Sequence, residues 1–285
     1  MTDGRVASRD ERGSCDTITG TTLYLPGGPW LTVMSTETPT ATCQRFTAID
    51  AANPTLIEGL PGHGLVASIA VDRITEQLGL DHHGVIRSGA FPQVSSFEAG
   101  IVQDTVRIYA GDDPPVMTLK CDVPIPTDAA PALSECVIDE FAETFSRAIF
   151  LTGAPAQSED QLGEVIGLGT DQQMKDALVA AGVDIADETG VVGGVTGALV
   201  NACYQAEVPA ILLLVRADPH VPDPGAARAV IEKGLEPLVE FDIDTDPLDD
   251  QAERIQEKKA QVAQELKAAK EAEGSVSMQA RAMYQ

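Results

Sequence analysis

From about Arg45 onward, short runs rich in β-branched and apolar residues alternate with stretches in which apolar residues recur every three to four positions. Runs of the first kind are typical of strands, and stretches of the second kind are typical of amphipathic helices. Strands that alternate with helices build layered α/β domains, because each helix has to bury its apolar face on a sheet. The pattern therefore predicts one α/β domain over residues 44–246.

The alternation also predicts individual elements. The predicted strands are Thr55–Leu60, Gly84–Gly89, Thr105–Tyr109, Val116–Cys121, Ala148–Thr152, Glu164–Leu168 and Ala210–Arg216. The predicted helices are Leu65–Leu78, Leu133–Phe145, Gln172–Ala181, Val195–Gln205 and Pro224–Val239. Because the stretch between Glu98 and Val123 resembles a hairpin, whose strands are antiparallel, the expected sheet is mixed.

Both ends of the chain lack this alternation. Residues 1–43 are rich in Gly, Thr, Ser and Pro and predict a disordered extension. Met34 begins a segment that looks like a natural protein start, so residues 1–33 are interpreted as a dispensable extension or as the product of a mis-chosen start codon. Residues 274–285 have no periodicity and predict a flexible tail.

Residues 247–273 predict a C-terminal amphipathic helix. Asp246-Pro247 is typical of a helix start, with an acidic N-cap and a proline in the first turn. Apolar residues then follow a heptad stripe with one lysine in it: Leu248, Ala252, Ile255, Lys259, Val262, Leu266 and Ala269. Two interpretations stay open, since such a stripe packs against its own domain or forms a contact with another subunit or a partner.

The charge excludes two classes of partner. The chain carries 44 acidic and 19 basic residues, which gives a formal net charge of −25. A surface this acidic is repelled by nucleic acids and by anionic membranes. Because salt at about 1 M shortens the Debye length to roughly 3 Å, the composition suggests a halophilic organism, with an ordinary acidic protein as the alternative. We expect a cytoplasmic location, since residues 1–22 lack the apolar block of a signal peptide.

Two glycine-rich segments are candidates for a ligand loop. The first lies between a predicted strand and a predicted helix and contains Gly59, Gly62 and Gly64; the second opens another helix and contains Gly193, Gly194 and Gly197. Glycines at a helix N-terminus expose backbone N–H groups to anions, but they also allow close packing of neighbouring elements. The first segment has no nucleotide-binding pattern, and no lysine follows it to meet a phosphate.

The chain shows no recognisable catalytic or metal-binding pattern. There is no Ser-His-Asp or Cys-His arrangement. The segment Asp242–Glu253 carries acids at the first, third, fifth and twelfth places of a calcium loop, but Pro247 stands where that loop needs a sharply turning glycine. We therefore predict no catalytic residues, no metal and no cofactor.

Two blocks carry a resemblance to a known family. The first is Leu56–Ala70, and the second is Gly193–Leu199, continuing through Ala210–Val215 to Pro222–Ala229. In order and spacing these blocks resemble the proteasome assembly chaperone family, specifically the archaeal relatives of the second eukaryotic chaperone, over roughly residues 44–270. His63 and the loop that begins at Arg216 depart from the family pattern at positions that bear on a ligand pocket.

The resemblance implies a three-layer α/β sandwich of the phosphorylase/hydrolase-like kind, a homo-oligomer, and a chaperone that does not consume ATP. The C-terminal residues Met283, Tyr284 and Gln285 fit the hydrophobic–tyrosine–any (HbYX) motif that docks between α-subunits of the proteasome core particle. In such a contact the tyrosine ring is buried, the preceding apolar side chain fills a cleft, and the terminal carboxylate meets a cation.

The sequence therefore leads to three hypotheses. The first is an ATP-independent proteasome assembly chaperone or regulator that docks this tail on the α-ring. The alternative is an enzyme that binds a nucleotide or a small acid through the glycine-rich loops at 59–64 and 190–197. The third is a binding module that contacts its partner through the heptad helix instead of the tail.

Overall fold

The computed structural model describes residues 20–23, 31–34, 39–47, 53–255 and 257–258. The chain divides into two compact units, Met1–Thr38 and Pro39–Gln285. In the first unit, the described residues form the antiparallel pair β1 (Gly20–Leu23) and β2 (Leu31–Met34). No helix among the described residues combines the length and the apolar character needed to span a bilayer.

The second unit is built on a nine-stranded mixed sheet in the order β12-β11-β13-β10-β4-β9-β8-β5-β3. Its strands are β3 (Ala41–Arg45), β4 (Thr55–Gly59), β5 (Asp81–Ser88), β8 (Val106–Asp112), β9 (Pro115–Cys121), β10 (Arg147–Pro155), β11 (Val165–Gly169), β12 (Asp184–Ile185) and β13 (Ala210–Ala217). A short hairpin of β6 (Ser96–Glu98) and β7 (Ile101–Gln103) is inserted between β5 and β8.

Helices cover both faces of this sheet. They are α1 (Val66–Gln77), α2 (Ala130–Phe141), α3 (Gln172–Ala180), α4 (Gly194–Gln205), α5 (Pro224–Val230) and α6, at residues 246–255. One core lies between the sheet and α1, α3 and α5, and the other lies between the sheet and α2 and α4. The expected α/β fold with a mixed sheet between helical layers is confirmed.

Each predicted strand is present, with ends shifted by a few residues, because buried apolar runs of this length have a clear sequence signature. The hairpin-like stretch is confirmed as the antiparallel pair β8–β9. The edge strands β3 and β12 and the hairpin β6–β7 were not predicted. They are short and largely exposed, so they carry little apolar periodicity.

Two predicted helices differ from the structure. Helix α2 begins at Ala130, three residues before the predicted start, because Pro131 is well suited to a first helical turn. The predicted helix 224–239 ends as an α-helix at Val230 and continues as a wider π-helical turn and a short 3₁₀ turn. Pro237 lies in that last turn and has no N–H to continue an α-helical ladder.

The start of the predicted C-terminal helix lies within α6, and its first turn packs on the second unit's own core. Leu248 is 2% exposed and belongs to the core that also contains α1 and α5. The remainder of the heptad stripe, from Lys259 to Ala269, lies outside the described residues, as do the predicted tail and Met283, Tyr284 and Gln285. The predicted boundary at residue 44 falls within β3.

Candidate functional site

The carboxyl ends of the central strands meet at one edge of the sheet. Strands β13, β10, β4 and β9 are neighbours and run parallel, so the loops that follow them gather at this edge. The connection after β4 leads to α1 on one face, whereas the connection after β9 leads to α2 on the other. In α/β sheets, connections that leave toward opposite faces open a crevice in which ligands bind.

A cavity of about 450 Å³ lies at this edge and brings the two glycine-rich segments together. We call loop 60–65 the β4 loop. Its residues 60–63 form one wall, and residues 191–196 at the start of α4 form another. The lining residues are Leu60, Pro61, Gly62, His63, Ile125, Thr127, Thr152, Gly153, Ala154, Pro155, Val191, Val192, Gly193, Gly194, Val195, Thr196 and Leu214. The segments are more than a hundred positions apart in sequence, so only the tertiary fold creates this proximity.

Three of the candidate glycines face open space in this cavity. A Cβ atom built on Gly62, Gly193 or Gly194 would meet no heavy atom within 4 Å. Of these, Gly194 has a φ of +73°, a left-handed conformation that favours glycine. At these three positions a ligand can approach the backbone closely.

The other candidate glycines are in tight surroundings. A Cβ on Gly59 would lie 2.4 Å from Val71 Cβ of α1, and one on Gly197 would lie 2.3 Å from the carbonyl oxygen of Val192. Gly64 has a φ of +62° and does not line the cavity. These three positions allow close packing and a sharp turn, so the two interpretations of the glycine-rich segments apply to different residues.

The β4 loop is held in a strained conformation. Leu65 follows Gly64 with a φ of +50°, which is rare for a residue with a side chain, and its side chain is largely exposed. The carbonyl oxygen of Gly64 accepts a hydrogen bond from the backbone N–H of Asp223 at 2.8 Å. On β10, a Cβ at Gly153 would lie 2.2 Å from the carbonyl oxygen of His63, so only glycine lets the loop approach this closely.

Glu58, near the end of β4, is fully buried and is not among the residues that line this cavity. Its Oε1 atom accepts hydrogen bonds from the backbone N–H of Leu60 at 3.1 Å and from the hydroxyl of Thr196 at 3.0 Å, and both residues line the cavity. Its Oε2 atom is without a hydrogen-bond partner. Burial raises the pKa of Glu58 to about 8, against the opposing effects of the Thr196 hydroxyl and of the backbone N–H groups of Leu60 and Leu151.

Sequence reasoning missed Glu58. The available signal was an acid inside the apolar run Thr55–Leu60, because an isolated charged residue in a buried strand is rare unless it has a specific role. One of its hydrogen bonds comes from the hydroxyl of Thr196, which stands 138 positions further along the chain.

The start of α4 offers backbone donors to this cavity. Gly193 is the N-cap residue, and no side chain caps the helix at this end. The N–H groups of the first helical turn have no partner within the helix, and they concentrate the positive end of the helix dipole. Residues Gly194, Val195 and Thr196 of that turn line the cavity.

A larger cavity of about 980 Å³ lies beside α5, and its cationic side chains are already engaged. Arg228 forms ion pairs with Glu232 and Asp249, and the Lys233 ammonium donates to the carbonyl oxygen of Gly163 at 3.1 Å. Over the described residues, no group of three or more His, Cys, Asp or Glu side chains is placed to hold a metal ion.

Comparison with known proteins identifies the family. Residues 56–263 match the PAC2 family, which is nearly three quarters of the chain. The chain belongs to the PAC2 family. The resemblance to proteasome assembly chaperones seen in Leu56–Ala70 and Gly193–Leu199 is thereby confirmed.

One similar protein and two structural neighbours cover most of the chain. Uncharacterized protein MJ0106 of Methanocaldococcus jannaschii is 28% identical over 217 residues, which cover 76% of this chain and 88% of that protein. The fold is that of Pyrococcus furiosus PbaA, an archaeal homolog of proteasome-assembly chaperone, with 24% identity, a TM-score of 0.71, and 85% of this chain and 99% of PbaA covered. It is also that of P. furiosus PbaB, an archaeal proteasome activator, with 21% identity, a TM-score of 0.70, and 79% and 99% covered.

Proposed function

We propose that this PAC2 family protein is an ATP-independent proteasome assembly chaperone or regulator that docks its C-terminal residues on the α-ring of the core particle. The observation that carries the proposal is the fold, which is shared with a proteasome-assembly chaperone homolog and with a proteasome activator over 85% and 79% of the chain. Both relatives are named for a role at the proteasome, so the same partner is the simplest inference for this chain.

The C-terminal sequence supplies the proposed contact. Tyr284 is the anchor, Met283 the neighbouring apolar contact, and Gln285 supplies the carboxylate. An aromatic ring with a polar tip buries a large area and still satisfies its hydroxyl group, which makes tyrosine an effective anchor in a small pocket. In a homo-oligomer several tails act together, so a weak single contact gives strong binding through effective concentration.

Substitution of the anchor tests this proposal. We expect Tyr284→Ala to abolish co-sedimentation with purified core particles in high salt, because the ring supplies most of the buried area of the tail contact. Tyr204→Ala is the matched control, since Tyr204 is 64% exposed on α4 in the folded body. Its binding should equal that of the wild type. A Tyr284→Ala protein that unfolds would contradict the assignment of this residue to a tail outside the core.

The requirement for a free carboxylate gives a second arm of the same experiment. One alanine appended after Gln285 keeps all the side chains and moves the carboxylate by one residue, so it should also prevent co-sedimentation. Binding that persists in both altered proteins would place the contact on the folded body, as the hypothesis of a helix-mediated binding module requires. If the wild type does not co-sediment either, the proteasome role is wrong.

A further inference from the structure

We propose that Cys43 and Cys136 are a redox-sensitive pair, which closes into a disulfide between strand β3 and helix α2 when a small-molecule disulfide acts as the oxidant. The two cysteines are far apart in the sequence, so only the fold brings them together. The pair is independent of the proteasome role, because both residues lie in the second unit and their reaction is tested without the core particle.

Strand β3 turns one face toward the α2 side of the sheet. Side chains alternate along a strand, so Ala41, Cys43 and Arg45 share one face. Of these, Ala41 and Cys43 pack against the core that lies between the sheet and α2 and α4. The Cys43 thiol is therefore directed toward the layer that contains α2.

Helix α2 meets this face of β3 through a second set of contacts that does not involve the cysteines. Arg45 Nη2 lies 3.8 Å from Glu140 Oε2. The Arg45 guanidinium also stacks over the ring of Phe141, with 4.7 Å between Cζ and the ring centroid. Cys136 and Glu140 are four residues apart, so they lie on the same side of the helix. These contacts fix the register between β3 and α2.

That register brings the two thiols together. Two residues along a strand span about 6–7 Å, and four residues along an α-helix span about 6 Å. Since Arg45 meets Glu140, Cys43 lies two residues before the contact on β3, and Cys136 lies four residues before it on α2. The matching distances place the cysteines opposite each other. Their thiol groups are close enough to interact directly.

The surroundings give the two sulfur atoms different roles. Cys43 is partly buried, whereas Cys136 is 6% exposed, so an oxidant reaches Cys43 first. Burial raises the pKa of both thiols, that of Cys136 to about 12, and Arg45 partly opposes the effect at Cys43. At neutral pH both groups are therefore protonated, and the pair reacts slowly until the oxidant is in excess.

Two other described cysteines are placed differently. The Cys121 thiol donates a hydrogen bond to the carbonyl oxygen of Val123 at 3.0 Å and is 3% exposed. Cys203 is fully buried on α4. An oxidant reaches neither of them in the folded chain, so we expect oxidation to begin at Cys43. Cys15 lies outside the described residues.

The reaction is a thiol–disulfide exchange in two steps. The Cys43 thiolate attacks one sulfur of the small disulfide, which forms a mixed disulfide and releases one small thiolate. The Cys136 thiolate then attacks the Cys43 sulfur, which closes the protein disulfide and releases the second small thiolate. The cysteines lose two electrons to the small disulfide, and their two protons pass to the released thiols. Because the second step is intramolecular, proximity offsets the small thiolate fraction of Cys136.

The disulfide fastens the edge strand of the sheet. Among the described strands, β3 stands last in the order and pairs with β5 alone. Its attachment depends on one set of ladder hydrogen bonds and on packing against α2, so a covalent link to α2 keeps it in place when the ladder opens. A link that closes a long loop also lowers the entropy of the unfolded chain. The oxidised form is therefore the more stable one.

Glutathione disulfide is the probe for the first experiment. The folded, full-length chain is incubated with an excess of it at mildly alkaline pH, the remaining thiols are alkylated, and the products are mapped by mass spectrometry after cleavage at glutamate. A glutamate separates Cys43 from Cys15 and another separates Cys136 from Cys121, so their peptides are distinct. We expect the Cys43 peptide linked to the Cys136 peptide, in a chain that has lost two hydrogen atoms.

The melting temperature measures the effect on the fold. We expect the oxidised wild type to melt about 5–10 °C above the reduced wild type, because a disulfide that closes a long loop stabilises a chain of this size by that much. Dithiothreitol should reverse both the link and the increase. The comparison uses two states of the same chain and needs no variant.

Two serine substitutions assign the link to this pair. In Cys136→Ser the second sulfur is absent, so we expect glutathione to remain on Cys43 and the increase in melting temperature to be lost. Cys121→Ser is the matched control, because it also removes a buried thiol and its hydroxyl can donate to Val123 as the thiol does. It should close the disulfide as the wild type does.

Several results with the wild type would overturn the proposal. Glutathione that stays on Cys43 without closure would mean that Cys136 is out of reach. A link between Cys43 and Cys15 would assign the pairing to another residue. No oxidation of Cys43 under excess reagent would mean that this thiol is inaccessible, and an unchanged or lower melting temperature after closure would mean that the link does not fasten β3.

Discussion

At the scale of single residues, Glu58 is an acid that the fold buries completely. A carboxylate loses its hydration when it is buried, and two hydrogen bonds on Oε1 do not replace it. The protein therefore holds this group in its neutral form up to a pH of about 8. A group whose pKa is higher in the folded state than in the unfolded state favours folding only while it is protonated.

The stability of the chain should therefore depend on pH through Glu58. Its contribution is complete below the unfolded pKa of 4.5 and is lost as the pH rises to the folded value of about 8. We expect the free energy of unfolding of the wild type to fall by roughly 3–5 kcal/mol more than that of Glu58→Gln between pH 5 and pH 9. Urea unfolding at both pH values measures the difference. Glu76→Gln, at an exposed position on α1, should behave like the wild type, and equal slopes for Glu58→Gln would show that Glu58 is not buried as described.

At the scale of elements, α6 is held to the second unit by a set of polar contacts around one buried leucine. Arg73 of α1 donates to the carbonyl oxygen of Asp244, just before α6, at 2.7 Å. The hydroxyl of Thr245 donates to Glu232 at 2.6 Å, and Arg228 pairs with Asp249. These contacts lie close to the buried Leu248 in the sequence. The start of the heptad stripe therefore packs within its own domain.

Truncation of this leucine tests the anchoring of α6. We expect Leu248→Ala to destabilise the fold by about 2–4 kcal/mol, because Leu248 is 2% exposed and its loss leaves a cavity in the core shared with α1 and α5. Chemical denaturation measures the change. Gln251→Ala, at an exposed position of the same helix, is the control and should stay within about 0.5 kcal/mol of the wild type. A small effect of Leu248→Ala would mean that α6 is not part of the cooperative fold.

At the scale of the whole molecule, the charge balance sets the conditions in which the chain is stable. With 44 acidic residues against 19 basic ones, the folded state brings like charges closer together than the unfolded chain does. Added salt shortens the Debye length from about 10 Å at 0.1 M to about 3 Å at 1 M and weakens this repulsion. Most ion pairs of the described residues keep at least one exposed partner, with Arg107–Asp122 as the more buried exception, so added salt weakens these pairs only slightly.

The melting temperature should rise with salt for this reason. Between 0.1 and 1 M sodium chloride we expect an increase of several degrees, at about 2–4 °C for each kcal/mol gained in a chain of this size. Differential scanning calorimetry measures the shift, and sucrose at the same osmolarity controls for effects of solute exclusion. A melting temperature that is unchanged or falls with salt would contradict the interpretation of the acidic composition as an adaptation to a saline interior.

The sequence by itself determined the fold class and the order of the central elements. Strands such as Ala210–Ala217 and helices such as Val66–Gln77 have strong local signatures. A run of apolar residues or an amphipathic pattern can be recognised from neighbouring positions in the sequence. The same local information identified the family, since its blocks keep their order along the chain. The short, largely exposed strand β3 lacks such a signature. The π-helical turn after Val230 is mostly buried, and its geometry depends on what it packs against.

Only the tertiary structure decided where a ligand site could lie. The glycine-rich segments were visible in the sequence, but their proximity depends on the parallel strands β4, β10 and β13. Gly62 follows β4, and α4, which begins after Gly193, leads into β13. Which glycines line the cavity and which allow close packing follows from neighbours such as Val71, which local sequence does not specify. Glu58 became informative for the same physical reason: burial and the loss of hydration are properties of the packed molecule, and no pattern of neighbouring residues encodes them.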